Sequence, residues 1–175
     1  MKIKFVTQDF SPDKINTSDS AQPFPRRPRL KNFDYKGIFD YFLTILTFNR
    51  EKYFISPDLF KEVFDVLIEK FVSEFDIFAY CFMPDHLHLL LSGKMEISDL
   101  QKAIKSFKQK SGYIFFDKYK KKLWHTSYYD HILRKDESIT EIIKYILNNP
   151  VRKNLVASFK EYPFSGSLVF NINDL

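Results

Sequence analysis

The chain has 175 residues, 45% of them hydrophobic, and its 20 Phe and 10 Tyr provide a bulky core for one domain. A single cysteine, Cys81, excludes an internal disulfide and suits a reducing cytoplasm; with no apolar signal core and no long apolar run, a cytoplasmic protein without a membrane anchor is expected. The net charge of +5 is unevenly placed: residues 101–122 hold eight Lys against Asp117 alone, and clustered positive charge favours a polyanion, most plausibly nucleic acid.

Residues 1–36 are polar and punctuated by proline, as in Pro23-Phe24-Pro25-Arg26-Arg27-Pro28-Arg29, and read as an extended or mobile arm. Residues 38–48, rich in β-branched and aromatic types, read as a first strand. Ser56-Pro57-Asp58 opens a helix, with Ser56 as N-cap and Pro57 in the first turn, and Leu59, Val63, Val66, Leu67 and Phe71 keep helical spacing to about residue 73. Residues 76–83 and 86–92 are two strands joined by the tight Pro84-Asp85 connection, with Cys81 in the core. Ser98 or Asp99 caps a second helix. Its apolar stripe is Leu100, Ile104, Phe107, Ile114 and Phe115, and its other face carries Lys102, Lys105, Lys108 and Lys110 as candidate phosphate contacts. Residues 128–134 read as a fourth strand.

This order is the split βαβ of an α+β, ferredoxin-like antiparallel sheet. Two helices cover one face, and the other is free to take a ligand or another helix. Ser138 and Glu141 form a capping-box pattern that opens a last helix, expected over 139–148 because Pro150 disfavours helical geometry before it. Tyr145 and Asn149, at i and i+4, project from one face of it.

His86-Leu87-His88 opens the third strand. Alternation sends both imidazoles to one face and Leu87 to the other, which makes half of a divalent-metal site. With Asn149 as an oxygen donor the set is mixed N/O, suited to Mg²⁺ or Mn²⁺ rather than to a closed thiolate zinc site. Such a metal polarises a phosphate, and Tyr145 is the candidate nucleophile. Taken singly, each residue has an ordinary use: histidines on a polar sheet face, a core tyrosine, an Asn-Pro helix stop. The combination carries the chemistry. Arg134, Arg152 and Lys153 flank the tyrosine helix as further phosphate contacts; Trp124 reads as a core or loop anchor, His125 as a loop residue, and His131 as a sheet histidine or a ligand-orienting one.

Met83-Pro84-Asp85-His86-Leu87-His88-Leu89-Leu90-Leu91, then Trp124, then Tyr129-Asp130-His131-Ile132-Leu133-Arg134, then Tyr145 through Val156 resemble the REP-associated tyrosine transposases, small single-tyrosine HUH transposases of bacterial insertion sequences. The resemblance covers about residues 38–165. It implies one catalytic domain over 37–175 that nicks and rejoins single-stranded DNA at a hairpin through a 5′-phosphotyrosine. It carries the nucleophile to Tyr145 and the metal ligands to His86, His88 and Asn149. Related insertion-sequence enzymes are dimers that can exchange the tyrosine helix, whereas REP-associated members can act as monomers, so monomer and homodimer both stay open. Other readings are a rolling-circle initiator or relaxase, a non-catalytic nucleic-acid-binding module on the same sheet, and a metal-dependent phosphohydrolase that forms no protein adduct.

Overall fold

The computed structural model describes residues 33–175. Most of the expected arm lies outside them, but its last four residues belong to the folded body. Tyr35 is buried with its ring 6.3 Å from that of Tyr41, its carbonyl accepts from the Leu100 amide at 3.1 Å, and Lys36 bridges to Asp99. The cause is aromatic: Phe33 meets Tyr35 and Phe39 edge-on, at 5.0 and 5.1 Å between ring centroids.

The elements run β1 (Asp40–Leu46), α1 (Pro57–Phe71), β2 (Phe75–Met83), β3 (His86–Gly93), α2 (Leu100–Tyr119), β4 (Tyr129–Ile132), α3 (Ile139–Leu147), α4 (Asn149–Arg152) and β5 (Ser165–Gly166). The strands lie in the order β4-β1-β3-β2-β5, and every neighbouring pair is antiparallel. The first six elements follow the expected chain order. β5 corrects the four-stranded expectation: it pairs with Tyr80 and Cys81 on the outer edge of β2. Two residues are too few to display an alternation, so hydrophobic pattern does not reveal it. β1 is shorter than 38–48 because Asn49 and Arg50 take left-handed φ values of 53° and 57°, which turn the chain into a 3₁₀ segment over Phe48–Arg50.

Ser56 occupies the α1 N-cap, but its side chain makes no capping bond; its carbonyl accepts from Phe60 instead, at 3.0 Å. Asp99, not Ser98, caps α2 by accepting from the Lys102 amide at 3.0 Å. The buried Ser98 hydroxyl donates to the Glu74 carbonyl.

Register sorts the sheet into two faces. Tyr41, Leu43 and Ile45 stand opposite Leu91, Leu89 and Leu87 on one of them. There α1 packs Phe60 and Phe64 on Phe82, and α2 lies beside it with Phe107 5.9 Å from Phe71. The other face presents Phe42, Thr44 and Leu46 beside Leu90, His88 and His86. α3 covers part of it, burying Ile142, Ile143, Ile146 and Leu147. At about 1.5–3 kcal/mol for each fully buried aliphatic chain, α3 is firmly docked. The face left open in the sequence reading is thus taken by the helix that carries Tyr145. Among the described residues, no helix is long and apolar enough to cross a membrane.

Candidate active site

The histidine pair begins β3 directly after the β2–β3 turn, and that turn is fastened to the end of β1. The Asp85 carbonyl accepts from the Thr47 amide and hydroxyl at 3.0 and 2.9 Å, and the Pro84 carbonyl accepts from the Phe54 amide at 3.1 Å. His86 therefore stands opposite Leu46 and His88 opposite Thr44, both on the α3 face. His88 is 2% exposed; His86 is half-buried.

Each ring is oriented through its Nδ1. The Asp85 carboxylate lies 2.6 Å from Nδ1 of His86 and also accepts from Arg50 at 3.2 Å. Burial would raise the Asp85 carboxyl, but the hydrogen bond and charge of His86, with Arg50, overcome it and hold it at about 2. An ionised carboxylate only accepts, so Nδ1 of His86 is the donor, which leaves Nε2 as the ring's ligand atom. Nδ1 of His88 lies 2.9 Å from the Thr44 hydroxyl, which can donate or accept. Burial, reinforced by the neighbouring His86, pushes His88 well below the ordinary imidazole range, so its ring is neutral.

The two Nε2 atoms meet 3.1 Å apart. Two nitrogens each about 2.1 Å from one six-coordinate cation stand about 3.0 Å apart, so the pair fits a shared divalent ion. Thr44 accepts from Nδ1 when Nε2 of His88 serves as a ligand. Among the described residues no group of three His, Cys, Asp or Glu converges, so a further protein donor must be of another type.

Asn149 is buried at the start of α4. Its Nδ2 donates to the Tyr145 carbonyl at 2.8 Å and reaches the Ile146 carbonyl at 3.4 Å. The second of these stands in for the main-chain donor that Pro150 lacks, and both leave Oδ1 as the amide's metal-capable atom. α3 ends at Leu147 with Asn148 as its C-cap, in line with the expected span of 139–148. After Leu147 the chain makes the further turn α4, which Pro150 tolerates near its start.

Tyr145 lies on α3 with its ring 6.1 Å from His88 and 6.0 Å from Phe42. Two turns on, the Arg152 guanidinium carbon sits 4.9 Å over the Tyr145 ring, and its charge also bears on His88. The fold thus gathers His86, His88, Tyr145 and Arg152 within a single chain.

The other cationic candidates are dispersed. α2 lies behind the sheet, away from the histidines. Lys110 pairs with Glu69 of α1, and Lys108 donates to the His125 and Thr126 carbonyls at 2.9 and 2.8 Å. Lys102 and Lys105 are exposed, as is Arg134, whose amide donates to Glu137 at 2.7 Å; Lys153 is half-buried. His131 bonds to Glu137 at 2.8 Å, Trp124 is anchored by its indole N–H to Ser111 at 2.8 Å, and His125 is an exposed loop residue.

Sequence reasoning missed the supports. Asp85 reads from the sequence as a turn residue, although its place beside His86 is a usable signal. Thr44 lies 44 positions from His88, and nothing short of the strand register pairs them.

Residues 39–149 match the protein family described as "Transposase IS200 like". A Haemophilus influenzae protein provisionally named a REP-associated tyrosine transposase is 26% identical over 140 residues, covering 71% of this chain and 77% of that protein. An uncharacterized protein of the same organism is 27% identical over 165 residues, covering 72% and 88%. A solved structure of a REP-associated tyrosine transposase bound to a REP hairpin shares the fold, with a TM-score of 0.67 and 20% identity over 79% of this chain and 82% of that one.

Proposed function

The chain belongs to the IS200-like transposase family, and on that footing we propose that it is a metal-dependent single-strand DNA transesterase that nicks and rejoins hairpin-associated DNA. The observation that carries this reading is the convergence of the His86 and His88 Nε2 atoms at 3.1 Å, with the Tyr145 ring beside His88.

Tyr145 Oη attacks the scissile phosphorus. The Oη–P bond forms, the P–O3′ bond breaks, the tyrosine proton passes to solvent, and the departing 3′ oxygen takes up a proton. The product is a 5′-phosphotyrosine and a free 3′-hydroxyl. Rejoining reverses the step: a 3′-hydroxyl attacks the same phosphorus and returns the phenol. One phosphodiester replaces another, so no external energy source is needed. His86, His88 and Asn149 Oδ1 would hold Mg²⁺ or Mn²⁺, which when bound supplies positive charge to the phosphate. Arg152, exposed beside Tyr145, binds a phosphate oxygen of the same strand. The partner is single-stranded DNA bearing a hairpin, by analogy with the structural neighbour that holds one. Because Tyr145 lies against His88 of its own chain, cleavage in cis by a monomer is the favoured arrangement.

The test is denaturing electrophoresis of the protein with a 3′-end-labelled hairpin oligonucleotide and Mg²⁺ or Mn²⁺. Wild type gives a labelled band that survives denaturation. Tyr145→Phe, which loses one oxygen and keeps the ring, gives none and still binds the DNA. Cleavage without any adduct would instead identify a phosphohydrolase.

A further inference from the structure

A second concavity lies towards the β4 edge of the sheet. A cleft of about 330 Å³ opens between α2 and the segment leading into β4, lined by Gln101, Ile104, Lys105, Gln109, Thr126 and Tyr128. That volume is at the small end of ligand clefts, about 300–1,000 Å³, and suits one nucleotide rather than a duplex.

Gln101, Lys105 and Gln109 follow one another at i, i+4 and i+8 and are all exposed, so their heads form one row. Ile104 is buried beneath them, and the half-buried Tyr128 stands across the cleft. The cleft does not depend on a loose loop: Lys108 ties its two walls together through the His125 and Thr126 carbonyls. An aromatic ring for a base face, amides for a base edge, an ammonium for a phosphate and an apolar floor together match an unpaired nucleotide.

The cleft is joined to the catalytic face through consecutive residues. Tyr129 follows Tyr128, is exposed, and pairs in register with Thr44, the residue that holds His88. Neighbouring side chains of an edge strand point to opposite faces. β4 is only four residues long, so the two faces are close at this edge.

We infer that this cleft takes one unpaired base of the single strand flanking the hairpin, stacked on Tyr128 and read by Gln101 and Gln109, with Lys105 on its phosphate. The inference rests on the single-stranded substrate proposed above and adds where sequence outside the hairpin is read.

The experiment measures binding of the full chain, in EDTA, to hairpin oligonucleotides whose flank carries one abasic site or one 2-aminopurine at successive positions. Wild type should lose about tenfold in affinity when one particular position is abasic and should quench 2-aminopurine there. Gln101→Ala combined with Gln109→Ala should lose about as much on the intact oligonucleotide and become indifferent to that abasic site. Tyr128→Leu should abolish the quenching, whereas Tyr128→Phe, which keeps the ring and its packing, should retain it. The inference is overturned if every flank position is equivalent for wild type, or if the double glutamine variant binds as wild type does. The adduct assay separates the two proposals. Normal adduct with no position dependence removes the cleft alone. Position-specific binding without any adduct removes the transesterase reading and leaves the cleft. Failure to bind hairpin DNA at all removes both.

Discussion

Asp85 and Thr44 set the histidines from behind: one fixes a tautomer by refusing to donate, the other adapts to whichever nitrogen carries the proton. Asp85→Asn keeps the size and removes the charge. Because partners behind a ligand tune its basicity, this variant should weaken Mn²⁺ binding by about 10–100-fold, read by Mn²⁺ titration of the paramagnetic signal. The same change has a pH signature. Asp85 is held at about 2 in the folded protein, below its unfolded value of about 3.9. A depressed carboxyl contributes stability that is present above the unfolded value and is lost as pH falls through the folded one. In urea unfolding, wild type should exceed Asp85→Asn most above about pH 5, with the gap shrinking towards pH 2. A gap independent of pH would mean that the ionised carboxylate contributes nothing. The meeting of His86, His88 and Tyr145 was legible because each lies in a short local pattern; the pairing of Thr44 with His88 was not, because strand pairing is a long-range fact.

Elements were legible in proportion to their length. α1 and α2, with 15 and 20 residues, repeat their apolar stripe often enough to be seen, whereas the two-residue β5 does not repeat at all. β5 nonetheless makes one close approach. A Cβ added at Gly166 would lie 2.7 Å from the Tyr80 hydroxyl and 2.9 Å from its Cζ, so the end of the Tyr80 side chain or β5 itself must shift to admit one. Gly166→Ala should cost about 1–3 kcal/mol in equilibrium unfolding as the Tyr80 ring or β5 is displaced. Unchanged stability would show that the edge yields freely. α3 and α4 were half legible. The capping residues marked the start, with Ser138 accepting from the Glu141 amide. The Asn149-Pro150 pair marks the stop, since α3 ends at Leu147; the separate turn α4 that follows and brings Arg152 over Tyr145 carries no comparable signal.

Across the whole molecule, the basic charge visible in the sequence resolves into two kinds once the helices are packed. Lys110 is spent on Glu69 of α1, while Lys102 and Lys105 face solvent on α2. Each phosphate neutralised on a single strand contributes about 0.7 to the slope of log affinity against log salt. Lys102→Ala with Lys105→Ala should therefore flatten the slope by about 1.4, and Lys110→Ala should leave it nearly unchanged. The reverse ranking would mean that DNA lies along the α1–α2 seam. The placement of Tyr145 beside its own chain's His88 also has a consequence for assembly. Mixing Tyr145→Phe with His88→Ala should give no adduct, because neither chain holds a complete site; restored activity would reveal exchange of α3 between subunits. The central claim is tested most directly by isolating the denaturation-resistant protein–DNA adduct, digesting it, and identifying the peptide that carries the nucleotide by mass spectrometry. The expected result is a single 5′-phosphoryl linkage on Tyr145. A linkage on Tyr128 or Tyr129, or cleaved DNA with no modified peptide, would contradict it.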